Sequence, residues 1–248
     1  MLHLFHPGPE QHRTPGGRIS ALYDDMARQT HLLIAGRTGS GKSVVVNGII
    51  HSQLCQHASG TTQLILIDPK RVELAQWRNT PHCLYYASEP AERVQALRLA
   101  MDVIETRYRE MQRAGQRRYN GGHLYVIIDE LADLLTTQKA AVLPILQRIG
   151  QIRRAANVHL IACTQCPTAA VLSTQLRCNF DSILGLRTRS AQDSRNIIGQ
   201  RGCEDLPQYG KGYYITPNGE QVVSLPMIPD SEIDSLTSYW GNRKNYVA

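Results

Sequence analysis

The chain has 248 residues, 42% hydrophobic and 19% charged, enough for one sizeable α/β domain with a large core and unlike a disordered or fibrous chain. Lys plus Arg outnumber Asp plus Glu by 27 to 21, and the net charge of +6 suits a nucleic-acid partner without specifying one. No apolar run reaches the length of a membrane span and the first residues lack the pattern of a signal peptide, so a cytoplasmic protein is expected, reaching a membrane only through a partner.

Residues 1–30 are rich in Pro, Gly and His and then mildly helical, which reads as an N-terminal entry arm able to meet a recruiting protein. His31 to Ala35 (HLLIA) is a buried-type strand, and VVVNGII from Val44 opens a helix. Between them lies GRTGSGKS, Gly36 to Ser43, which satisfies G-x-x-x-x-G-K-[ST] at every required position. Gly36, Gly39 and Gly41 let the backbone wrap a phosphate, with N–H groups and the helix N-terminus turned inward. Lys42 would neutralise the β and γ phosphates of ATP, and the Ser43 hydroxyl would ligate Mg²⁺. Arg37, Thr38, Ser40 and Val44 complete the expected nucleotide-binding stretch.

Leu64 to Asp68 is a second strand, ended by Asp-Pro-Lys at 68–70. Ser88 to Gly115 reads as a long amphipathic helix, its stripe formed by Val94, Leu97, Met101, Ile104, Tyr108 and Met111. This stripe suits core contact, and its regularity also suits a subunit interface. Leu124 to Ile128 is the third strand; a helix is expected over 137–156, starting late or kinked because of Pro144. Further strands fall at 158–163 and 182–186, with a short helix at 191–198. The end, KGYYITPNGEQVVSL, reads as a hairpin turning on Asn218-Gly219. Strand–helix alternation implies a mainly parallel twisted sheet flanked by helices, joined by right-handed crossovers. The expected organisation is an arm at 1–30, an ATPase core at 31–225 and a tail at 226–248.

The strand LYVII runs into Asp129 and Glu130. Asp129 would hold Mg²⁺, and Glu130 would polarise the attacking water; a carboxylate pair after a strand can also cap a helix. The acid beside the metal ligand argues for hydrolysis, since coordination needs only the Asp. Thr164 and Gln165 end the next strand, where Gln165 is a candidate sensor of the γ-phosphate. The six cysteines show no framework spacing; Cys163-Thr-Gln-Cys166 is formally C-x-x-C, but buried reduced thiols are the expectation.

Five segments in order resemble the motor domain of the FtsK/SpoIIIE family of DNA translocases: HLLIAGRTGSGKSVVVN at 31–47, LILIDPKRVEL at 64–74, VIIDELADL at 126–134, IGQIRRAANVHLIACTQCP at 149–167 and DSRNIIGQRGCEDL at 193–206. The resemblance implies a RecA-like P-loop ATPase that assembles as a homo-oligomeric ring, usually hexameric, and pumps double-stranded DNA through its centre. ATP would lie between subunits, with a neighbour's arginine stabilising the transition state. Arg195 is the first candidate for that finger, and Arg154 or its neighbour Arg153 the second. DNA would meet the loop Gly115 to Gly122 (GQRRYNGG), Arg117 and Arg118 on phosphates and Tyr119 and Asn120 on the sugar–backbone; a plain solvated loop is the alternative. Lys70 and Arg71 are weaker DNA candidates. Cys166 stands where the family's T-Q-R-P string has arginine. Without the family's membrane spans or winged helix, the chain is expected to be a minimal motor core serving a plasmid, integrative element or phage. Protein cargo and an ATP-switched DNA-binding adaptor are the alternatives.

Overall fold

A computed structural model describes residues 30–152, 155–168 and 171–242. All of the 1–30 arm but Thr30, and the candidates Arg153 and Arg154, therefore lie outside the described residues.

The strands form one eight-stranded sheet. In chain order they are β1 (His31–Ala35), β2 (Thr62–Ile67), β3 (Cys83–Ala87), β4 (His123–Ile128), β5 (Val158–Thr164), β6 (Ser182–Gly185), β7 (Lys211–Thr216) and β8 (Gly219–Ser224). Their spatial order is β3-β2-β4-β5-β1-β6-β7-β8, parallel from β3 to β6 and antiparallel from β6 to β8. The parallel centre follows from near-continuous apolar runs, which need cover on both faces. Alternate residues supply it: Leu33, Ile65, Ile67, Val126 and Ile128 face one core, and Leu32, Leu64, Leu66, Tyr125 and Ile127 the other.

The first face is covered by α2 (Pro90–Arg113) and α3 (Leu131–Gln151), the second by α1 (Lys42–Gln56) and α6 (Asp230–Gly241). The short helices α4 (Thr174–Arg177) and α5 (Ala191–Ile198) flank β6. Helix α2 starts where a capping box pairs Glu89 with Glu92, and Pro90 sits in its first turn, where no N–H is needed. Leu97, Ile104 and Met111 of the expected stripe are buried, and Val94, Met101 and Tyr108 are partly buried against the same core.

Four expectations shift. The helix expected over 137–156 opens at Leu131, and its break falls at Gln138 (φ −139°), six residues before Pro144. There the Thr136 and Thr137 hydroxyls donate back to the Ala132 and Asp133 carbonyls, at 2.7 and 2.8 Å, which loosens the helical ladder. The hairpin turns on Pro217-Asn218, since Thr216 pairs directly with Gly219. An unforeseen edge strand, β3, runs beside β2. The segment read as a tail carries α6, whose Ile233, Leu236 and Trp240 pack on the second core, with the Trp240 indole donating to the Leu54 carbonyl at 3.2 Å.

Candidate nucleotide site

The parallel strands end at one edge of the sheet, and the loop joining β1 to α1 lies there. Gly36 is squeezed between neighbours: a Cβ would stand 2.8 Å from the Leu186 Cβ and 3.2 Å from the Arg187 carbonyl oxygen. Gly39 (φ 72°) and Gly41 (φ 96°) are left-handed and face open space, which only glycine adopts without strain. Gly41 is the N-cap of α1 and no side chain caps that helix, so its first N–H groups remain for an anion. Lys42 is buried and donates from Nζ to the Gly36 and Arg37 carbonyls at 2.8 and 2.9 Å. Burial lowers its pKa, and the nearby Glu130 and Asp129 carboxylates oppose that shift, so the ammonium rests on those carbonyls and this acidic surrounding until phosphate arrives. Ser43 is half-buried and Val44 exposed on the first turn of α1.

Asp129 stands at the end of β4, its N–H on the Ile67 carbonyl at 3.0 Å. Its carboxylate is buried, and Oδ2 has no protein partner. Burial, then the neighbouring Asp68 and Glu73 carboxylates, push it up to about 7. A hydroxyl at a helix N-terminus and an orphaned buried carboxylate oxygen are a donor set suited to a hard cation, so Ser43 and Asp129 would hold Mg²⁺. Because the folded pKa lies above the unfolded one, the fold binds the extra proton between about pH 4 and 7, and stability falls as pH rises through that window. We expect Asp129→Asn to raise the melting temperature of the nucleotide-free protein at pH 8, with the gain shrinking toward pH 5, read by thermal denaturation at both pH values.

Glu130 is the N-cap of α3, and its Oε1 accepts from the Ala132 N–H (3.3 Å), the Thr164 hydroxyl (3.1 Å) and the Gln165 N–H (3.2 Å). Cap and candidate base are thus the same side chain. Gln165 reaches the phosphate loop, its Oε1 accepting from the Thr38 hydroxyl at 2.7 Å. A cleft of about 150 Å³ opens beside the loop, lined by Arg37, Gln165, Cys166, Thr188, Arg189 and Asp193 among others. Arg195 is exposed on α5 and does not line this cleft. Arg37, expected in the nucleotide-binding stretch, lines this cleft, whereas Thr164 and Arg189 were not expected as site residues; Thr164 adjoins Gln165, while nothing in the sequence marks Arg189. Lys70 lies 3.8 Å from Glu130 Oε2, and Arg71 pairs with Glu89, so both weak DNA candidates have carboxylate partners.

Cys163 and Cys203 are buried, with burial raising both thiol pKa values, whereas Cys55, Cys166 and Cys178 are exposed. Of the C-x-x-C pair, Cys163 is therefore buried as expected and Cys166 is not, since it follows the end of β5 and lines the cleft.

The loop 115–122 lies at the opposite edge, before β4 begins. Arg117, Arg118 and Asn120 are exposed. Tyr119 is not: its ring lies under the Arg107 guanidinium, 4.6 Å from carbon to centroid, and its N–H donates to the Ala155 carbonyl at 2.7 Å. The ring anchors the loop, so it is a poor candidate for contacting a sugar.

Residues 12–124 match the model of the FtsK/SpoIIIE family. DNA translocase FtsK 1 of Neisseria meningitidis serogroup B is 32% identical, over 87% of this chain and 31% of its own length. The chain spans about a third of the curated relatives it matches. Among solved structures, the pCW3 conjugation coupling protein TcpA, with ATPγS, superposes with TM-score 0.78 at 20% identity, over 89% of this chain and 67% of that one. The cytoplasmic domain of the Thermomonospora curvata type VII secretion ATPase EccC gives 0.72 at 20% identity, over 85% and 28%. Both likenesses establish the shared α/β fold.

Proposed function

The chain belongs to the FtsK/SpoIIIE family, and from that premise we propose that it is an ATPase motor that moves double-stranded DNA. The observation carrying this reading is the convergence at one sheet edge of buried Lys42, the orphaned Asp129 carboxylate and a Glu130 fixed by Thr164 and Gln165. A static binding site needs the third only as the cap of α3.

In the proposed reaction the N–H groups of the Gly36–Ser43 loop cradle the phosphates, and Lys42 leaves the loop carbonyls for the β and γ oxygens. Mg²⁺, when bound, offsets phosphate charge. Glu130 takes a proton from water as its oxygen attacks the γ-phosphorus and ADP leaves. Gln165, already joined to Thr38, is placed to touch the γ-phosphate or that water, and an arginine of a neighbouring copy, Arg195 being our first choice, stabilises the transition-state charge. Ring assembly, hexameric in number, belongs to the same proposal. So does service to a plasmid, integrative element or phage, in keeping with the fold shared with a conjugation coupling protein.

The test is ATP turnover with and without duplex DNA. We expect stimulation by DNA, and we expect Arg117→Ala/Arg118→Ala to remove it while DNA-free turnover persists. Each arginine withdrawn from a phosphate should lower the slope of log affinity against log salt by about 0.9, hence by about 2 for the pair. Turnover indifferent to DNA but raised by a protein partner would sink the DNA reading and favour protein cargo.

A further inference from the structure

Lys70 is a cation of this site to which the proposed hydrolysis gives no role. It sits in the loop between β2 and the 3₁₀ turn at Ala75–Trp77, half-exposed, 3.8 Å from Glu130 Oε2. The other Glu130 oxygen, Oε1, is already taken by Ala132, Thr164 and Gln165. Only Oε2 remains to receive a proton from water, and that is the oxygen the Lys70 ammonium neighbours. The two ends of the pair differ in freedom: Glu130 is buried and held at three points, while Lys70 is a flexible cation at the solvent boundary.

The loop carrying Lys70 has a fixed base and an exposed tip. Asp68 is fully buried and accepts from the Leu74 N–H at 3.0 Å and the Tyr86 hydroxyl at 3.3 Å. Arg71, next to Lys70, is held left-handed at φ 60° and pairs with Glu89 on the far side. Beyond it Val72 is 68% exposed, an apolar tip on an otherwise anchored turn.

Resting on the ATPase reading above, we infer that Lys70 is a positioning residue acting as a restraint: it occupies the water-facing oxygen of Glu130 in the idle subunit and must withdraw for hydrolysis. An ammonium beside Oε2 competes with the attacking water for that oxygen, which slows the base. The pair is half solvated and therefore weak, which suits a restraint released and remade each cycle.

The experiment measures kcat and KM for Mg-ATP, with and without duplex DNA, on wild type, Lys70→Met, Lys70→Arg and Glu130→Gln, plus binding of a fluorescent ATP analogue. We expect Lys70→Met to raise DNA-free kcat about two- to fivefold, the range of one exposed ion pair, with KM and nucleotide affinity unchanged. The DNA-stimulated rate stays put, so the stimulation ratio shrinks, and Lys70→Arg keeps the low idle rate. An unchanged or lower kcat in Lys70→Met, or a loss of nucleotide affinity that makes Lys70 a phosphate ligand, overturns the restraint. If Glu130→Gln is inactive and Lys70→Met is not raised, the restraint alone fails. If Glu130→Gln turns over like wild type, or no protein turns over at all, the assignment of the base fails and takes the restraint with it.

Discussion

Glu130→Gln should bind ATP as wild type does and hydrolyse it about 10²- to 10⁴-fold more slowly, the usual contribution of a positioned general base. Binding survives because nothing in the phosphate loop touches this side chain directly; Thr38 meets it only through Gln165. The fold survives as well. Glutamine keeps a carbonyl oxygen where Oε1 accepts from Ala132, Thr164 and Gln165, so the cap on α3 is retained. Glu130→Ala would lose that cap too, at about 1 kcal/mol, and would confuse stability with chemistry. Filter binding of nucleotide beside steady-state phosphate release separates the two effects. Equal loss of both, or of neither, would remove Glu130 from the role of base.

Lys42→Ala should abolish the response to nucleotide while leaving the empty protein folded. Removing one partner of a buried charge-assisted pair costs on the order of 2–5 kcal/mol, about 30- to 5,000-fold in affinity for ATP. In the empty site the same lysine is a desolvated charge held by the Gly36 and Arg37 carbonyls, so its loss costs the nucleotide-free fold little. Thermal denaturation with and without Mg-ATP reads both halves: wild type gains stability with nucleotide concentration, and Lys42→Ala does not. A variant that melts far below wild type without nucleotide would mean Lys42 is chiefly structural.

The residues that meet at this edge were legible because they lie in contiguous stretches of the chain. A phosphate loop needs glycines, lysine and serine at fixed spacing, and Asp129-Glu130 follow a strand directly. The partners of those residues were not legible. Thr164 and Lys70 reach Glu130 from β5 and the end of β2, and these flank β4 only because the sheet orders itself β2-β4-β5. Strand β3 escaped notice because it is an edge strand with only Ala87 buried, so Cys83–Ala87 lacks the solid apolar run of its neighbours. Helix α6 did leave a trace, Ile233, Leu236 and Trp240 at spacings of three and four, which a polar surrounding obscured. The break in α3 was expected from proline and came instead from two threonines, whose hydroxyls compete for helix carbonyls wherever the chain allows.

Strand β4 begins just after Arg117 and Arg118 and ends just before Asp129. Its six residues span roughly 20 Å, and the strand is hydrogen-bonded in register to β2 on one side and β5 on the other. A strand locked on both sides cannot stretch, and it cannot slip by one residue without exchanging the side chains that face its two cores. It is a strut. In the proposed ring, a change at the phosphates would therefore reach the arginine loop as a displacement of the whole subunit, and the stroke would belong to the boundaries between copies rather than to flexing within one.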